Sequence, residues 1–195
     1  MNKILWNYKT IDVINESKNI DLCLLENDYY IVNVFCSDVQ MLSINVNQEE
    51  NSQCILNVST INKENSTLKI QSDIKGSNNK LFINVHCLSK KDNMNCEVVS
   101  KVSQNTVNNE VVEDLKGLNE NGGVCFLPIL EVDTNNVLAS HYATVGSLDE
   151  NMIFYMQCKG LSKEAASRLL KENFIYGLFN DDFVSQIKKR KENYE

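Results

Sequence analysis

"MLSINVNQEENSQCILNVSTINKENSTLKIQSDIKGSNNKLFINVHCL", residues 41–88, decides the fold. Within it Leu42, Ile44 and Val46 alternate with Ser43 and Asn45, and Leu81, Ile83 and Val85 alternate with Phe82 and Asn84. A period of two puts every second side chain on one face of an extended strand. Between the runs lie "NQEENS", "NKENS" and "KGSNN", where short polar side chains and glycine suit tight reversals. Run centres fall at Ile44, Leu56, Ile70 and Ile83, which are 12, 14 and 13 residues apart. The same texture reaches outward from about residue 20 to 115, through "IDLCLLE", "YYIVNVFC" and "CEVVSKV". Such spacing fits a meander, a sandwich or an irregular β-solenoid, and periodicity alone does not choose among them. The asparagines fit either ladders stacked between coils or a biased composition, and the composition account is the simpler expectation.

The texture changes toward the C-terminus. "PILEVD", opened by the only proline, Pro128, reads as a further strand after the Gly122-Gly123 break. Ser147-Leu148-Asp149-Glu150 has the spacing of a capping box, with Ile153, Phe154 and Met156 as helical apolar positions. Gly160 is a left-handed stop, and Ser162 is the next N-cap. Ala166, Leu170, Phe174 and Leu178, flanked by Leu169 and Ile175, make a wide apolar stripe. A third helix is expected from about Asp181 to Lys191, capped by "NDD". The chain therefore divides into a β region, 1–146, and a helical region, 147–195.

Composition limits the function classes. The 195 residues are 43% apolar, enough for a buried core, and the formal charge is −7. That charge argues against nucleic acid or an anionic membrane surface as partner. The one basic run, "KKRKEN" from Lys188 to Asn193, reads as a solvated last helical turn. No stretch approaches the roughly 20 apolar residues that span a bilayer, and "MNKILWNYKTIDV" lacks the apolar core of a signal peptide. Seven cysteines (23, 36, 54, 87, 96, 125, 158) form no CxxC pair. The expectation is a cytoplasmic protein with free thiols, five or six of them buried as small hydrophobes.

Few residues suggest chemistry. His141 lies at the seam between β and helical texture, and imidazole both ligates metals and titrates near neutrality. Read from the residues alone, it is more simply a hydrogen-bonded histidine at a strand end. If Cys125 lies on a neighbouring strand, thiolate and imidazole could face one site suited to iron or zinc. The plainer reading of Cys125 is a buried small side chain. His86 and Cys87 are adjacent in a strand, so they point to opposite faces and cannot share a metal. Glu110, Glu113 and Asp114 read as a polar strand edge. Gly76 and Gly122-Gly123 make no phosphate loop, and Ser140 beside His141 makes no triad. The chain reads as a non-enzyme, with a hydrolase at His141 the least supported alternative.

From Pro128 onward an extended pattern emerges: Pro128-Ile129-Leu130-Glu131-Val132, then Ser140-His141-Tyr142-Ala143-Thr144-Val145-Gly146, then Asp149-Glu150. Phe154-Tyr155-Met156, Gly160-Leu161-Ser162, Glu164-Ala165 and Leu169-Leu170 follow in order. This resembles the SufB/SufD family of iron–sulfur cluster assembly proteins, the SufD-like members more closely. The resemblance implies a right-handed parallel β-helix with a C-terminal helical appendage. It also implies a dimer through the β-helix, either a homodimer or one with a SufB-like partner. By the same resemblance, helices dock a SufC-like ABC ATPase, with Phe154, Leu161, Leu169, Leu170, Phe174 and Leu178 as docking candidates. His141 is then placed beside an iron site or transient iron–sulfur cluster, with Cys125 as a second candidate ligand. An alternative implied by the same match is an interaction paralogue that docks the ATPase without carrying a cluster. Tyr142 stands where SufD-like proteins have glycine, and Ala139 where many have cysteine. The chain is shorter than the family's usual length, so an N-terminal domain and some coils are expected to be missing.

Overall fold

The computed structural model describes residues 6–15 and 19–192. The first five residues, read above for a signal peptide, and Asn193 of the basic run lie outside them. In chain order the strands are β1 (Asn7–Ile14), β2 (Asn19–Leu24), β3 (Asp28–Ser37), β4 (Met41–Gln48), β5 (Gln53–Asn62) and β6 (Ser66–Ile74). Then come β7 (Lys80–Ser89), β8 (Met94–Val102), β9 (Asn109–Asn119), β10 (Val124–Val132) and β11 (Val137–Gly146). Three helices follow, α1 (Glu150–Cys158), α2 (Lys163–Tyr176) and α3 (Asp181–Glu192).

Odd-numbered strands form one parallel sheet in the order β1-β3-β5-β7-β9-β11, and even-numbered strands the other, β10-β8-β6-β4-β2. Each coil thus contributes one strand to each wall, and the chain is a two-sheet parallel β-solenoid. The 12- to 14-residue spacing of the sequence is half a coil. Alternation feeds the interior. Val32, Leu56 and Ile83 stack in register on one wall, and Leu68 and Cys96 on the other, all within one continuous apolar core.

Asparagine builds the coils, contrary to the compositional expectation. Asn57 Nδ2 donates to Asn33 Oδ1 at 3.0 Å, and Asn84 Nδ2 to Asn57 Oδ1 at 2.9 Å. Asn33 Nδ2 continues the series to Asp12 Oδ1 at 2.9 Å. Stacked coils put identical amides about 4.8 Å apart, where each can donate to the next. A second asparagine column turns the corner at Asn27, Asn51, Asn78 and Asn108, whose φ values are 67°, 52°, 60° and 58°. Asparagine tolerates this left-handed conformation better than other residues with a Cβ. Asn108 Nδ2 donates to Asn78 Oδ1 at 3.0 Å, and Asn51 Nδ2 to Asn27 Oδ1.

The helices lie over the outer face of the odd-strand sheet. Ile175, Phe183 and Ile187 close a second core with Ile14, Phe35, Ile61, Leu88 and Leu118. α1 packs on α2 rather than on the solenoid, burying Ile153. The cap of α1 is Asp149, whose side chain accepts from Asn151 N at 2.8 Å, not the expected Ser147. Ser162 does cap α2, with Ala165 N donating to its Oγ at 3.1 Å, and Gly160 adopts φ +96°. No helix among the described residues is long and apolar enough to cross a membrane. Four cysteines are buried (36, 54, 87 and 96), fewer than the five or six expected. The others, Cys23, Cys125 and Cys158, are exposed, the first two on β2 and β10 of the even-strand sheet and the third on α1.

Candidate functional site at the open end of the solenoid

Parallel in-register strands give every interior column a first and a last member. The column Val32, Leu56, Ile83 continues to Glu113 on β9 and ends at His141 on β11. Register partners share a face, so His141 projects to the same side as the fully buried Glu113. It is exposed because no further coil covers β11. β11 places Val137, Ala139, His141 and Ala143 on the inward side, and β10 places Phe126, Pro128 and Leu130 there.

Glu113 is the charged member of an otherwise aliphatic column. Ser100 Oγ donates to Glu113 Oε1 at 2.6 Å from the opposite wall. The second oxygen, Oε2, is buried and accepts from nothing. Burial pushes the carboxyl up to about 7, with the Ser100 hydrogen bond pulling the other way. Treating Glu113 as part of a polar edge with Glu110 and Asp114 was therefore incorrect. Glu110 and Asp114 lie on the outer side, where they pair with Lys80 and Lys116, while Glu113 faces in. The period-two rule applied from Val111 and Leu115 would have found it.

Cys125 does not share this site. It pairs in register with the exposed Asn95 on the other sheet and faces outward, whereas His141 faces in. A neighbouring-strand position did not suffice, because β10 and β11 belong to different walls. Burial raises the thiol of Cys54 to about 12 and that of Cys36 to about 11, which disfavours their thiolates. His86 and Cys87 do point apart, as alternation requires. His86 stacks on Phe174 at 4.7 Å and places Nδ1 2.5 Å from the Phe174 carbonyl, to which it donates. Desolvation lowers its pKa, favouring neutral imidazole.

The outer surface changes character at the last rung. Leu127, Leu138 and Tyr142 lie in register with Glu97, Glu110 and Asp114 of the coil before, so charge gives way to exposed apolar surface. Leu138 is 71% exposed and Tyr142 59%. The edge is blunted at one point. Asp133 N donates to Val102 O, so odd-numbered amides of β10 face β8 and the missing amide of Pro128 falls on the open side.

The helical candidates divide. Phe154, 68% exposed, and Leu169 reach solvent, joined by Met152 and Tyr155. Leu161, Leu170 and Leu178 are half-buried. Phe174 is turned onto the solenoid, where it holds His86 and packs with the second core.

Residues 97–174 match the family described as SUF system FeS cluster assembly, SufBD core domain. The iron–sulfur cluster assembly protein SufD of Bacillus subtilis is 35% identical over 63 residues, 32% of this chain and 14% of that protein. A SufBD family protein of Mycobacterium leprae is 31% identical over 65 residues, 33% of this chain and 17% of the relative. One from Pyrococcus horikoshii is 38% identical over 53 residues, 26% of this chain and 12% of the relative. The matches thus span less than a fifth of each relative's own length. The family match, residues 97–174, runs from β8 through the His141 strand into α2. Over residues 97–174, two fifths of the chain, the protein is similar to the SufB/SufD family of iron–sulfur cluster assembly proteins.

Proposed function

We propose that this chain is a non-catalytic scaffold subunit of a SUF-like iron–sulfur assembly system. In it the open rung handles iron or a nascent cluster as cargo, and the helical appendage docks a SufC-like ABC ATPase. The carrying observation is the column that ends Glu113–His141: a buried carboxylate with an unpartnered oxygen beneath an exposed imidazole, at the mouth of an apolar tube. Carboxylate and imidazole are sound donors for iron. They fit the cargo as part of a site, since among the described residues no three His, Cys, Asp or Glu side chains converge on one point. A second chain, identical or SufB-like, would supply the rest. The apolar outer positions Leu127, Leu138 and Tyr142 support such a cover, as do the unpaired edges of β10 and β11.

For the ATPase, the exposed side chains Phe154, Tyr155 and Leu169 are the contact surface, while Phe174 and Leu170 act behind it by seating α2 on the solenoid. Co-purification with a SufC-like ATPase tests this. Phe154→Asp combined with Leu169→Asp is expected to abolish capture while leaving the far-ultraviolet circular dichroism unchanged. Undiminished capture contradicts the docking assignment.

One observation favours the second reading, an interaction paralogue without a cluster. None of the described inward residues of β10 or β11 is a cysteine. Anaerobic reconstitution with ferrous iron and sulfide separates the two. Visible charge-transfer absorption retained on the chain or its complex supports the scaffold, and its absence with ATPase capture intact supports the paralogue.

A further inference from the structure

We propose that Glu113 is itself a metal ligand, closing with His141 a site for a single divalent cation of the ferrous class at the open end of the solenoid. The inference deepens the iron-handling half of the function proposed above and rests on it. Its starting point is an imbalance inside the tube. Glu113 has no measurable exposure, and Ser100 satisfies only Oε1. An unpartnered carboxylate oxygen in an apolar interior is costly, and such groups persist where something outside the chain satisfies them.

The surroundings say from which side that partner comes. Below Glu113 in its column stands Ile83, fully buried, and its inward neighbours along β9 are Val111 and Leu115, equally buried. Ser100 and Cys96 occupy the facing wall, and both are engaged, Ser100 with Oε1 and the Cys96 thiol in a hydrogen bond with Cys87. The polar neighbour left in the column is His141, one strand on, about 4.8 Å away by the spacing of paired strands. A proton on Oε2 does not resolve the imbalance, since it converts an acceptor without a donor into a donor without an acceptor. A cation between Oε2 and an imidazole nitrogen of His141 satisfies both. Carboxylate with imidazole selects borderline divalent ions such as Fe(II), Co(II) and Zn(II) over Mg(II) or Ca(II), which take oxygen alone. With two protein donors the remaining positions stay open, as delivery of the ion onward requires. Buried structural metals, by contrast, are closed by four protein ligands.

Cobalt(II) is the probe, because its visible bands report coordination without air sensitivity. Titrating the full chain is expected to give one bound Co(II) with bands that sharpen on binding. Glu113→Gln and His141→Ala are each expected to weaken it at least tenfold. Asp73→Asn, on the outer face of the opposite sheet, should leave it unchanged. A Glu113→Gln chain that binds Co(II) as tightly as the unaltered one overturns the proposal, whatever His141→Ala does. Should Glu113→Gln fail to fold, a crystal of the unaltered chain soaked in Co(II) decides. An anomalous peak between Glu113 and His141 is expected, and a peak elsewhere or none overturns the proposal. ATPase capture distinguishes the two levels. Capture without Co(II) binding removes the ligand role alone, whereas Co(II) binding without capture removes the scaffold assignment and leaves the metal site standing.

Discussion

The coils between β3 and β9 and the rung formed by β10 and β11 follow the same alternation with opposite results. In the middle coils Leu56, Ile83 and Val85 are completely buried, and the outer positions mix polar side chains with the half-buried column Ile31, Ile55 and Phe82. At the last rung the inward positions open to solvent, and the outer ones turn apolar at Leu127, Leu138 and Tyr142. What differs is not strand propensity but the absence of a following strand. The middle stores stability in its columns. The last rung gives that up and presents an imidazole and a bare edge instead, above the buried carboxylate of Glu113 in the coil before it.

The comparison breaks most visibly under truncation. Ile83→Ala should cost about 3–4 kcal/mol in urea unfolding, the range for a large aliphatic side chain removed from a packed core. Leu138→Ala should stay within about 0.5 kcal/mol, because little of it is buried in the isolated chain. Equal losses at the two positions would erase the distinction.

Glu113 sharpens the boundary between the regions. Its carboxyl lies at about 7 in the folded chain against an ordinary value of 4.5, so the folded state holds the proton more tightly than the unfolded one. The resulting stability is complete below about pH 4.5, declines as pH rises, and is gone above about 7. In metal-free buffer the unaltered chain should lose on the order of 2 kcal/mol across that window, and Glu113→Gln should not. Guanidinium melts at pH 4.5, 6 and 7.5 check this, and parallel slopes for the two chains contradict it. His141, Ser100 and Cys96 are polar or titratable groups around that carboxyl.

Smaller effects test the coil lattice. Asn57→Ala breaks two amide bonds of the Asn33–Asn57–Asn84 series, for an expected loss of about 1–2 kcal/mol by thermal denaturation. Asn78→Ala forces a poorer left-handed residue into a corner at φ 60° and should cost about 1 kcal/mol. Asn78→Gly keeps the conformation accessible but loses the Asn108 contact, and should fall between alanine and the unaltered chain.

Much of this was legible beforehand. Clean alternation in Leu42–Val46 and Leu81–Val85 named the strands, and the pattern from Pro128 to Leu170 carried the resemblance to SufB/SufD proteins and drew attention to His141. Periodicity did not distinguish a solenoid from a sandwich, because both bury one face of each strand. The asparagine ladders were only the less simple of two readings for a related reason: their partners lie 24 to 30 residues away, at coil spacings that vary from turn to turn. Glu113 was overlooked because two carboxylates beside it are solvent-facing, and only the inward phase of β9 separates it from them. Cys125 was misplaced beside His141 because adjacent strands in the chain belong to opposite walls.

The central claim is that iron–sulfur chemistry resides at the exposed rung and not within the closed coils. The most direct test is Mössbauer spectroscopy of chain reconstituted anaerobically with iron-57 and sulfide, in its complex with the ATPase. The account predicts quadrupole doublets of a bound cluster in the unaltered chain, lost in His141→Ala and retained in Cys54→Ser. A His141→Ala spectrum indistinguishable from that of the unaltered chain would contradict it.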